Sequence, residues 1–334
     1  MRLIKTEDAV GHVLCHDMTQ IIKDQYKDAR FRKGHVVTEE DIPVLLSMGK
    51  EHLYVWEMTP GMVHENDAAE RLLALCGQEN MIRSGVKEGK IELKAACDGV
   101  FLVDSARLVA VNSQDEVMIA TRKGGMAVRE GDKLAGMRVI PLIIEEEKLR
   151  KAEQAAGDKP LLSLKPYVRK TACIVATGGE VKKGLIKDTF TPVVIDKLKT
   201  YGIETLEVVY SGDGVENVRD AVLAMREKKP DMILCTGGMS VDPDDNTPGG
   251  IKAAGANIIA YGAPVLPGAM FLLGYFDDGM PVMGLPGCVM YAGATVFDLV
   301  LPKIAADVPV TRADLAALGE GGLCPVSYTH LRAH

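Results

Sequence analysis

The strongest constraint on the fold is a regular alternation of strand and helix patterns after residue 170. Short apolar runs at residues 171–176, 203–210 and 231–235 predict buried strands, and amphipathic stretches at residues 184–200 and 215–228 predict helices between them. Strand–helix–strand repetition at this spacing gives parallel strands joined by right-handed crossovers. The sequence therefore predicts an α/β fold in the C-terminal half, with a three-layer, doubly wound and mostly parallel sheet.

Further elements complete this half, and a different pattern precedes it. Strands are predicted at residues 257–261, 269–275 and 280–284, and a long closing helix at residues 288–304. The N-terminal part reads as a smaller, strand-rich α+β region, with one of its strands predicted at residues 108–112. The predicted domains are a strand-rich region of uncertain role at 1–150, a helix tail and linker at 151–167, the α/β domain at 168–306, and a C-terminal tail at 307–334.

The composition is that of an ordinary globular protein and argues against two classes of partner. The 334 residues carry a net charge of −7 and 5% aromatic residues, so neither a basic surface nor a stacking platform for nucleic acid is expected. The seven cysteines are dispersed without a C-x-x-C pair, which is typical of reduced thiols in the cytosol. The N-terminus lacks the apolar core of a signal peptide. We therefore expect a cytoplasmic protein with no nucleic-acid or membrane partner.

Each predicted parallel strand is followed by a loop rich in glycine and small polar residues. Ligands of open α/β sheets bind beyond the carboxyl ends of the strands, so these loops should meet at one edge and bind a cofactor. The candidates after the four strands are Thr177, Gly178, Gly179 and Glu180, then Ser211, Gly212 and Asp213, then Thr236, Gly237, Gly238, Ser240 and Thr247, and finally Leu285, Pro286, Gly287 and Cys288.

The third loop, in the stretch CTGGMSVDPDDNTPGG, adds the carboxylates of Asp242, Asp244 and Asp245. Glycines allow close approach of a ligand to the backbone, and helix starts, such as the one predicted at residue 288, favour anions. Carboxylates at the same edge would repel a phosphate unless a cation bridges them, and Mg²⁺ is the usual cation. The loops therefore predict a magnesium–phosphate ligand. The structural alternative is a capped turn, with Thr247 as N-cap and Pro248 as the first helical residue.

Four motifs occur in the order found in a known domain family. They are ATGGEVKKGLIKDT (176–189), VVYSGDGVENVRDAV (208–222), CTGGMSVDPDDNTP (235–248) and GLPGCVMYAG (284–293). As a set they resemble the molybdopterin-binding (MoaB/Mog-like) domain over about residues 168–306. This domain occurs in molybdopterin adenylyltransferases, in CinA-like proteins and in MoeA-type molybdopterin molybdenumtransferases, to which the resemblance is closest.

The resemblance implies a ligand, a reaction and residue roles. The ligand is molybdopterin, which ends in a phosphate, and the transferase reaction inserts molybdate into adenylated molybdopterin with release of AMP and with Mg²⁺. Asp245 and Asp213 fall on acidic positions of the family, which implies catalytic and metal-binding roles for both. The family also implies a homodimer. Two other functions stay open, namely a non-catalytic molybdopterin carrier or sensor and a CinA-like nucleotide pyrophosphatase.

The chain departs from the transferases at several positions. Cys288 follows Leu-Pro-Gly where many transferases have Asn, and Pro267, Gly268 and Ala269 stand where they often have Gly-Lys-Pro. Residues 1–160 lack the Asp-Arg-Ser…Met-Asp-Gly signature. The last ten residues, PVSYTHLRAH, resemble translated sequencing-adapter read-through, and we expect them to be non-native.

Overall fold

A computed structural model of the chain describes residues 2–22, 26–56, 60–179, 185, 187–240 and 246–323. The chain forms two compact units. The first unit comprises Met1–Cys97, Leu102–Gly124 and Arg129–Leu164, and the second comprises Asp98–Phe101, Gly125–Val128 and Lys165–His334. Within the described ranges, no helix has both the length and the apolar character needed to cross a bilayer.

The chain up to residue 166 is built from short strands and four helices. The helices are α1 (Asp41–Ser47), α2 (Glu65–Leu75), α3 (Ser105–Asn112) and α4 (Glu146–Ala156). The strands are β1 (Arg2–Lys5), β2 (Val13–Leu14), β3 (Met18–Ile22), β4 (Tyr26–Phe31), β5 (His52–Trp56), β6 (Met62–His64), β7 (Met81–Arg83), β8 (Ile91–Ala95), β9 (Gly99–Val103), β10 (Val117–Thr121), β11 (Met126–Val128), β12 (Lys133–Val139), β13 (Ile143–Glu145) and β14 (Leu162–Pro166).

The first unit has small antiparallel sheets. One sheet has the strand order β1-β5-β2, and another has the order β10-β12-β8-β7. Two further sheets are two-stranded, one formed by β3 and β4 and the other by β6 and β13. The strand predicted at residues 108–112 is wrong, because these residues end helix α3. Asp104 accepts the N–H of Arg107 through Oδ1 at 3.1 Å and so caps this helix, and the cap outweighs the strand preference of its valines.

The second unit carries the α/β pattern. Its helices are α5 (Phe190–Lys199), α6 (Val215–Arg226), α7 (Thr247–Ala253), α8 (Val296–Ala305) and α9 (Arg312–Ala316). Its sheet contains β15 (Thr171–Thr177), β16 (Glu204–Ser211), β17 (Met232–Thr236), β18 (Asn257–Tyr261), β19 (Leu272–Tyr275) and β20 (Pro281–Leu285), in the order β16-β15-β17-β20-β19-β18.

This sheet is mostly parallel. β15 pairs in parallel with β16 and with β17, and β17 pairs in parallel with β20. β19 is antiparallel to both of its neighbours, β18 and β20. The predicted α/β class and mostly parallel sheet are therefore confirmed.

Successive residues of the interior strand β15 pack in two different hydrophobic cores. Ala172 and Ile174 pack in the core that includes α5 and α8, whereas Cys173 and Val175 pack in the core that includes α6 and α7. Side chains of a strand alternate between its two faces, so helices cover both faces of the sheet. This double burial explains why the central strands read as continuous apolar runs in the sequence.

The long closing helix predicted at residues 288–304 is wrong, because two elements occupy this stretch. Gly287–Met290 form a short 3₁₀ helix, and α8 begins only at Val296. Thr295 fixes that start with a capping box, in which its N–H donates to Asp298 Oδ2 at 2.7 Å and its Oγ1 accepts the N–H of Phe297 at 3.2 Å. The α-helix start expected at residue 288 as an anion site is therefore not present.

Candidate functional site

The carboxyl ends of four parallel strands lie side by side. Thr177 at the end of β15 stands opposite Ser211 at the end of β16. Thr236 at the end of β17 stands opposite Leu285 at the end of β20. β15 and β17 are also paired up to Thr236. We call this edge the rim, and it comprises residues 177–179, 211–213, 236–240 and 285–288.

Two threonine hydroxyls connect the middle loops of the rim. The Thr177 hydroxyl donates to the carbonyl oxygen of Thr236 at 2.9 Å, and the Thr247 hydroxyl donates to the carbonyl oxygen of Gly237 at 2.9 Å. The two hydroxyl oxygens lie 3.1 Å apart, and Thr247 is only 1% exposed. Because Thr247 also donates its N–H to the carbonyl oxygen of Gly238 at 3.1 Å, it anchors the third loop against the first.

The capped-turn alternative is wrong in detail. Thr247 is the first residue of α7, Pro248 is the second, and Asn246 occupies the N-cap position. The Thr247 hydroxyl bonds to the carbonyl of Gly237 and therefore serves the loop, whereas an N-cap hydroxyl would accept an N–H of its own helix.

The glycines of the rim differ in whether the fold itself requires a glycine at their position. Gly237 and Gly238 have φ angles of +80° and +56°, and a Cβ on Gly237 would lie 2.4 Å from the carbonyl oxygen of Thr177. Both are therefore required by the close packing of the loop. Gly287 differs, since a Cβ there would meet no atom of the described residues within 4 Å and the residue is exposed. The described residues therefore do not require a glycine at position 287, and they leave the space beside it free.

One carboxylate of the rim belongs to Asp213, which is exposed. Its Oδ2 accepts the N–H of Gly179 at 3.0 Å, and Gly178 donates its N–H to the carbonyl oxygen of Ser211 at 3.3 Å. No group of three His, Cys, Asp or Glu side chains placed to hold a metal ion occurs in the described part of the chain. Four residues from the sequence interpretation lie outside that part, namely Glu180, Asp242, Asp244 and Asp245.

The structure adds Asp188, which the sequence interpretation passed over. Its Oδ2 accepts the hydroxyl of Tyr210 at 3.2 Å, which places it beside the end of β16. Its Oδ1 accepts the N–H groups of Phe190 and Thr191 at 2.9 and 3.0 Å. Burial alone would raise the pKa of Asp188, but these hydrogen bonds outweigh it and lower the pKa, so the group is ionised at neutral pH. A helix start placed at residue 190 would have identified this capping carboxylate.

The remaining predicted positions lie at the ends of β17 and β20. Thr236, Leu285 and Pro286 are buried, so their side chains belong to the core more than to a ligand surface. Ser240 is exposed. Burial raises the pKa of the Cys288 thiol, which keeps it protonated at neutral pH and makes it a poor nucleophile.

Two family models match the chain. Residues 173–306 match the family described as a probable molybdopterin binding domain. Residues 3–57 match a domain of unknown function, DUF8806. The first match covers the parallel sheet and the rim, and the second lies in the first unit.

Curated relatives match a shorter stretch. A CinA-like protein of Mycobacterium tuberculosis is 33% identical over 76 residues, which is 23% of this chain and 18% of the relative. A CinA-like protein of Petrotoga mobilis is 32% identical over 76 residues, again 23% of this chain and 19% of the relative. The matched stretch thus spans about a fifth of the length of these relatives.

Solved structures give distant similarities. The protein CinA with unknown function from Thermoplasma acidophilum has a TM-score of 0.35 at 18% identity, covering 41% of this chain and 98% of that one. The molybdopterin biosynthesis enzyme MoaB from Thermus thermophilus has a TM-score of 0.36 at 17% identity, covering 42% and 98%.

The family match confirms the predicted molybdopterin-binding domain but not its closeness to the molybdenumtransferases. The matching curated relatives are named CinA-like, so these matches do not single out the transferase branch that the resemblance favoured. The family match therefore supports a domain of the molybdopterin-binding type over residues 173–306.

Proposed function

We propose that the rim binds molybdopterin and that the protein acts in molybdenum cofactor biosynthesis. The observation that carries this proposal is the space that the described residues leave free at Gly287, together with strand ends that lie in register. Binding beyond the carboxyl ends of parallel strands is general for this sheet type, and the family match over residues 173–306 supports the pterin as ligand.

The charges of the rim fit a magnesium ion held between protein and phosphate. Mg²⁺ in such sites takes one or two carboxylates, substrate phosphate oxygens and several waters. Asp213 is exposed and engages only Oδ2 with the Gly179 N–H among the described residues, so Oδ1 is available to a cation. Asp188 is a second ionised carboxylate near β16, and the resemblance adds Asp245. When bound, Mg²⁺ supplies charge neutralisation and polarises a phosphoryl oxygen.

The finer proposal is insertion of molybdate into adenylated molybdopterin with release of AMP. In this reaction Asp213, with Asp245 as the resemblance implies, would hold the cation beside the phosphoryl group. The hydroxyls of Thr177 and Thr247 hold the third loop at Thr236 and Gly237. Gly287 lets the ligand approach the backbone. The thiol of Cys288 takes no covalent part, since its pKa is raised by burial.

A second candidate is a CinA-like pyrophosphatase that hydrolyses a nucleotide. The observation that favours it is the similarity of a 76-residue stretch to proteins named CinA-like. Both candidates need a metal-bound phosphoryl group at the same rim, so the rim alone does not separate them.

The separating experiment measures AMP release from adenylated molybdopterin with molybdate and Mg²⁺, and nucleotide pyrophosphate hydrolysis with Mg²⁺. We expect Asp245→Asn and Asp213→Asn to lower the AMP-release rate about 10²-fold or more while pterin affinity changes much less. Asp220→Asn, which changes an exposed carboxylate of α6, is the matched control and should keep full activity.

The results of this experiment distinguish the candidate functions. Molybdopterin binding without turnover on either substrate indicates the carrier or sensor, and nucleotide hydrolysis indicates the CinA-like activity. Full Mg²⁺-dependent AMP release by Asp245→Asn would falsify the assignment of that residue. Failure of the wild-type protein to bind molybdopterin contradicts the proposal as a whole.

The proposal includes a homodimer, as the resemblance implies. Analytical ultracentrifugation at micromolar concentration measures it directly. A sedimentation coefficient of the monomer at every concentration contradicts this part and leaves the ligand proposal standing.

A further inference from the structure

A cavity of about 250 Å³ lies within the first unit. Its size is several times the ~30 Å³ that a water molecule occupies in the liquid and below the ~300–1,000 Å³ of drug-sized pockets. Among the described residues, six charged side chains line it, three of each sign, namely Asp17, Arg32, Lys33, Glu65, Glu88 and Arg138.

The lining residues come from separate segments of the chain. Asp17 precedes β3, Arg32 and Lys33 follow β4, Glu65 begins α2, Glu88 lies in the turn before β8, and Arg138 belongs to β12. Tertiary folding alone brings them together, and the cavity is independent of the rim and of the function proposed for it.

The buried member of the set is Glu65, which is 4% exposed. Gly34 and Gly89 make room for its carboxylate, because a Cβ on either residue would lie 2.7 or 2.6 Å from a Glu65 carboxylate oxygen. The φ angles of these glycines are +88° and +67°, which other residues rarely adopt. Neighbouring bonds hold the wall in place, since His64 Nε2 lies 2.9 Å from the carbonyl oxygen of Gly34 and Gly89 donates its N–H to Asn66 Oδ1 at 3.1 Å.

The Glu65 carboxylate lacks a close partner among the residues that the structure describes. The nearest cation is Arg138, whose Nη2 lies 3.9 Å from Oε2, which is longer than a hydrogen bond. Burial raises the pKa of Glu65, and the nearby cations offset this only in part. Because the nearest cation lies beyond hydrogen-bond distance, a cationic group of a ligand in the cavity would stabilise the ionised carboxylate.

The three other charges already have partners. Arg32 Nη1 lies 3.4 Å from Glu88 Oε1, and Asp17 Oδ1 accepts the backbone N–H of Lys33 at 2.7 Å. Within the described residues, the side-chain ammonium of Lys33 has no ion pair, and Arg138 reaches an acid only at the 3.9 Å distance. One buried acid and two cations are therefore left for a ligand.

We propose that this cavity binds a small zwitterion of the α-amino-acid type, with its ammonium group on Glu65 and its carboxylate on Arg138 and Lys33. A simple inorganic anion would face three acidic side chains, and a simple cation would face three basic ones. A ligand that carries both charges close together satisfies the unpaired groups of both signs. The size of the cavity limits it to a molecule of amino-acid dimensions.

The test is isothermal titration calorimetry of the full chain with each standard α-amino acid in turn, with phosphate, acetate and methylammonium as single-charge probes. We expect at least one amino acid to bind with a dissociation constant of about 1 mM or tighter and the single-charge probes to bind more weakly. Phosphate binding more tightly than every amino acid, or no binding of any amino acid, overturns the proposal.

Variants assign the binding to the cavity. Glu65→Gln keeps the shape but removes the charge, and we expect it to weaken binding about thirtyfold or more. Asp67→Asn neutralises an exposed acid of the same helix and should leave affinity unchanged. If Glu65→Gln does not fold, Lys33→Gln serves as the test variant, because Lys33 is exposed and its ammonium is proposed to bind the ligand carboxylate. We expect this variant to weaken amino-acid binding as well. Unchanged affinity in the folded variant overturns the proposal.

The pH dependence separates a zwitterion from an anion. Glu65 faces Arg138 from β12, Lys33 from the segment after β4, Glu88 from the turn before β8 and His64 from its own segment. Because the ammonium needs an ionised Glu65, amino-acid affinity should fall as pH is lowered through the raised pKa of this group. An affinity that rises over the same range identifies an anion bound to protonated Glu65 and overturns the proposal.

Discussion

The candidate binding surfaces of the two units consist of different chemical groups, mainly backbone in the second unit and charged side chains in the first. The rim of the second unit consists of strand ends, glycine backbone and hydroxyls, and the carboxylate of Asp213 on it is exposed. The cavity of the first unit consists of charged side chains around the buried Glu65. A surface made of backbone should be sensitive to added side-chain volume, whereas one made of side-chain charges should be sensitive to neutralisation.

The largest expected effect comes from adding volume to the rim. Gly287→Leu fills space in which a Cβ meets no atom of the described residues within 4 Å, so folding should be unaffected while molybdopterin affinity falls about 10²-fold, a loss of about 2.7 kcal/mol. Titration of molybdopterin and thermal unfolding measure the two quantities. Gly85→Leu is the matched control, because a Cβ there is equally unobstructed and the residue belongs to the first unit.

The outcome bears directly on the comparison between the units. Unchanged pterin affinity in Gly287→Leu would show that the ligand does not approach the rim at this point. Loss of amino-acid binding in the same variant would show that the two surfaces are not independent, which contradicts their separate construction.

A second prediction concerns a property that both units should share. Burial raises the pKa of Cys76 in the first unit and of Cys235 in the second to about 12. Above pH 9 the unfolded chain releases these protons while the folded chain retains them, so the free energy of unfolding falls with rising pH. The slope is about 1.4 kcal/mol per pH unit for each thiol, and it ends near the folded-state value.

Urea unfolding between pH 8 and about pH 10.5 measures this slope. Cys76→Ala and Cys235→Ala should each remove the contribution of one thiol to the slope, and the double variant should remove both contributions. Equal slopes in all four proteins would mean that other groups cause the alkaline loss of stability.

The same contrast explains what the sequence could predict. The alternation after residue 170 and the run of apolar strands predicted the parallel sheet, and parallel strand ends meet at one edge whatever the loops contain. The cavity had no such signal, because Lys33, Glu65 and Arg138 lie far apart in the chain and no local spacing connects them. Asp188 was missed for a local reason. The helix was predicted to begin near residue 184, which placed Asp188 inside it, whereas α5 begins at Phe190.

Local capping chemistry caused the other errors. The valine-rich stretch at residues 108–112 resembles a strand, and only the cap at Asp104 shows that it is helical. The closing helix was predicted as one element because its apolar residues continue through Gly293, and the capping box at Thr295 divides it. The role of Thr247 depends on contacts with Thr177 and Gly237, which a sequence pattern does not contain.

A third prediction tests whether the rim depends on its hydroxyl network. Thr247→Val keeps the shape but leaves the carbonyl of Gly237 without the hydroxyl that donates to it, at a buried position. We expect a loss of about 1–3 kcal/mol in the free energy of unfolding, and Thr247→Ser should restore most of it. The control is Thr200→Val, an exposed threonine at the end of α5 whose hydroxyl donates to Lys197, where water replaces the lost donor. Equal effects at both positions would contradict a special role for Thr247.

The smallest effect concerns one carboxylate in each unit that accepts several hydrogen bonds. In the second unit, Asp231 Oδ2 accepts the N–H of Lys170 at 2.6 Å, the N–H of Thr171 at 2.9 Å and the Thr171 hydroxyl at 3.0 Å. Burial would raise the pKa of Asp231, but these bonds outweigh it and lower the pKa. We expect Asp231→Asn to reduce stability by about 1 kcal/mol at pH 7.

Asp41 is the counterpart in the first unit. Its Oδ2 lies 2.6 Å from His35 Nε2 and accepts the N–H and the hydroxyl of Thr38 at 2.8 and 2.9 Å, and its pKa is likewise lowered although burial opposes the shift. A lowered pKa gives stability that is present above the unfolded-state value of about 3.8 and is lost as pH falls through the folded-state value. The deficits of Asp41→Asn and Asp231→Asn should therefore both shrink between pH 7 and pH 3, as measured by urea midpoints. If the loss in free energy of unfolding persists at pH 3 for only one of the two variants, the carboxylate of that unit acts through its shape and the other acts through its charge. The two units would then differ in more than their binding surfaces.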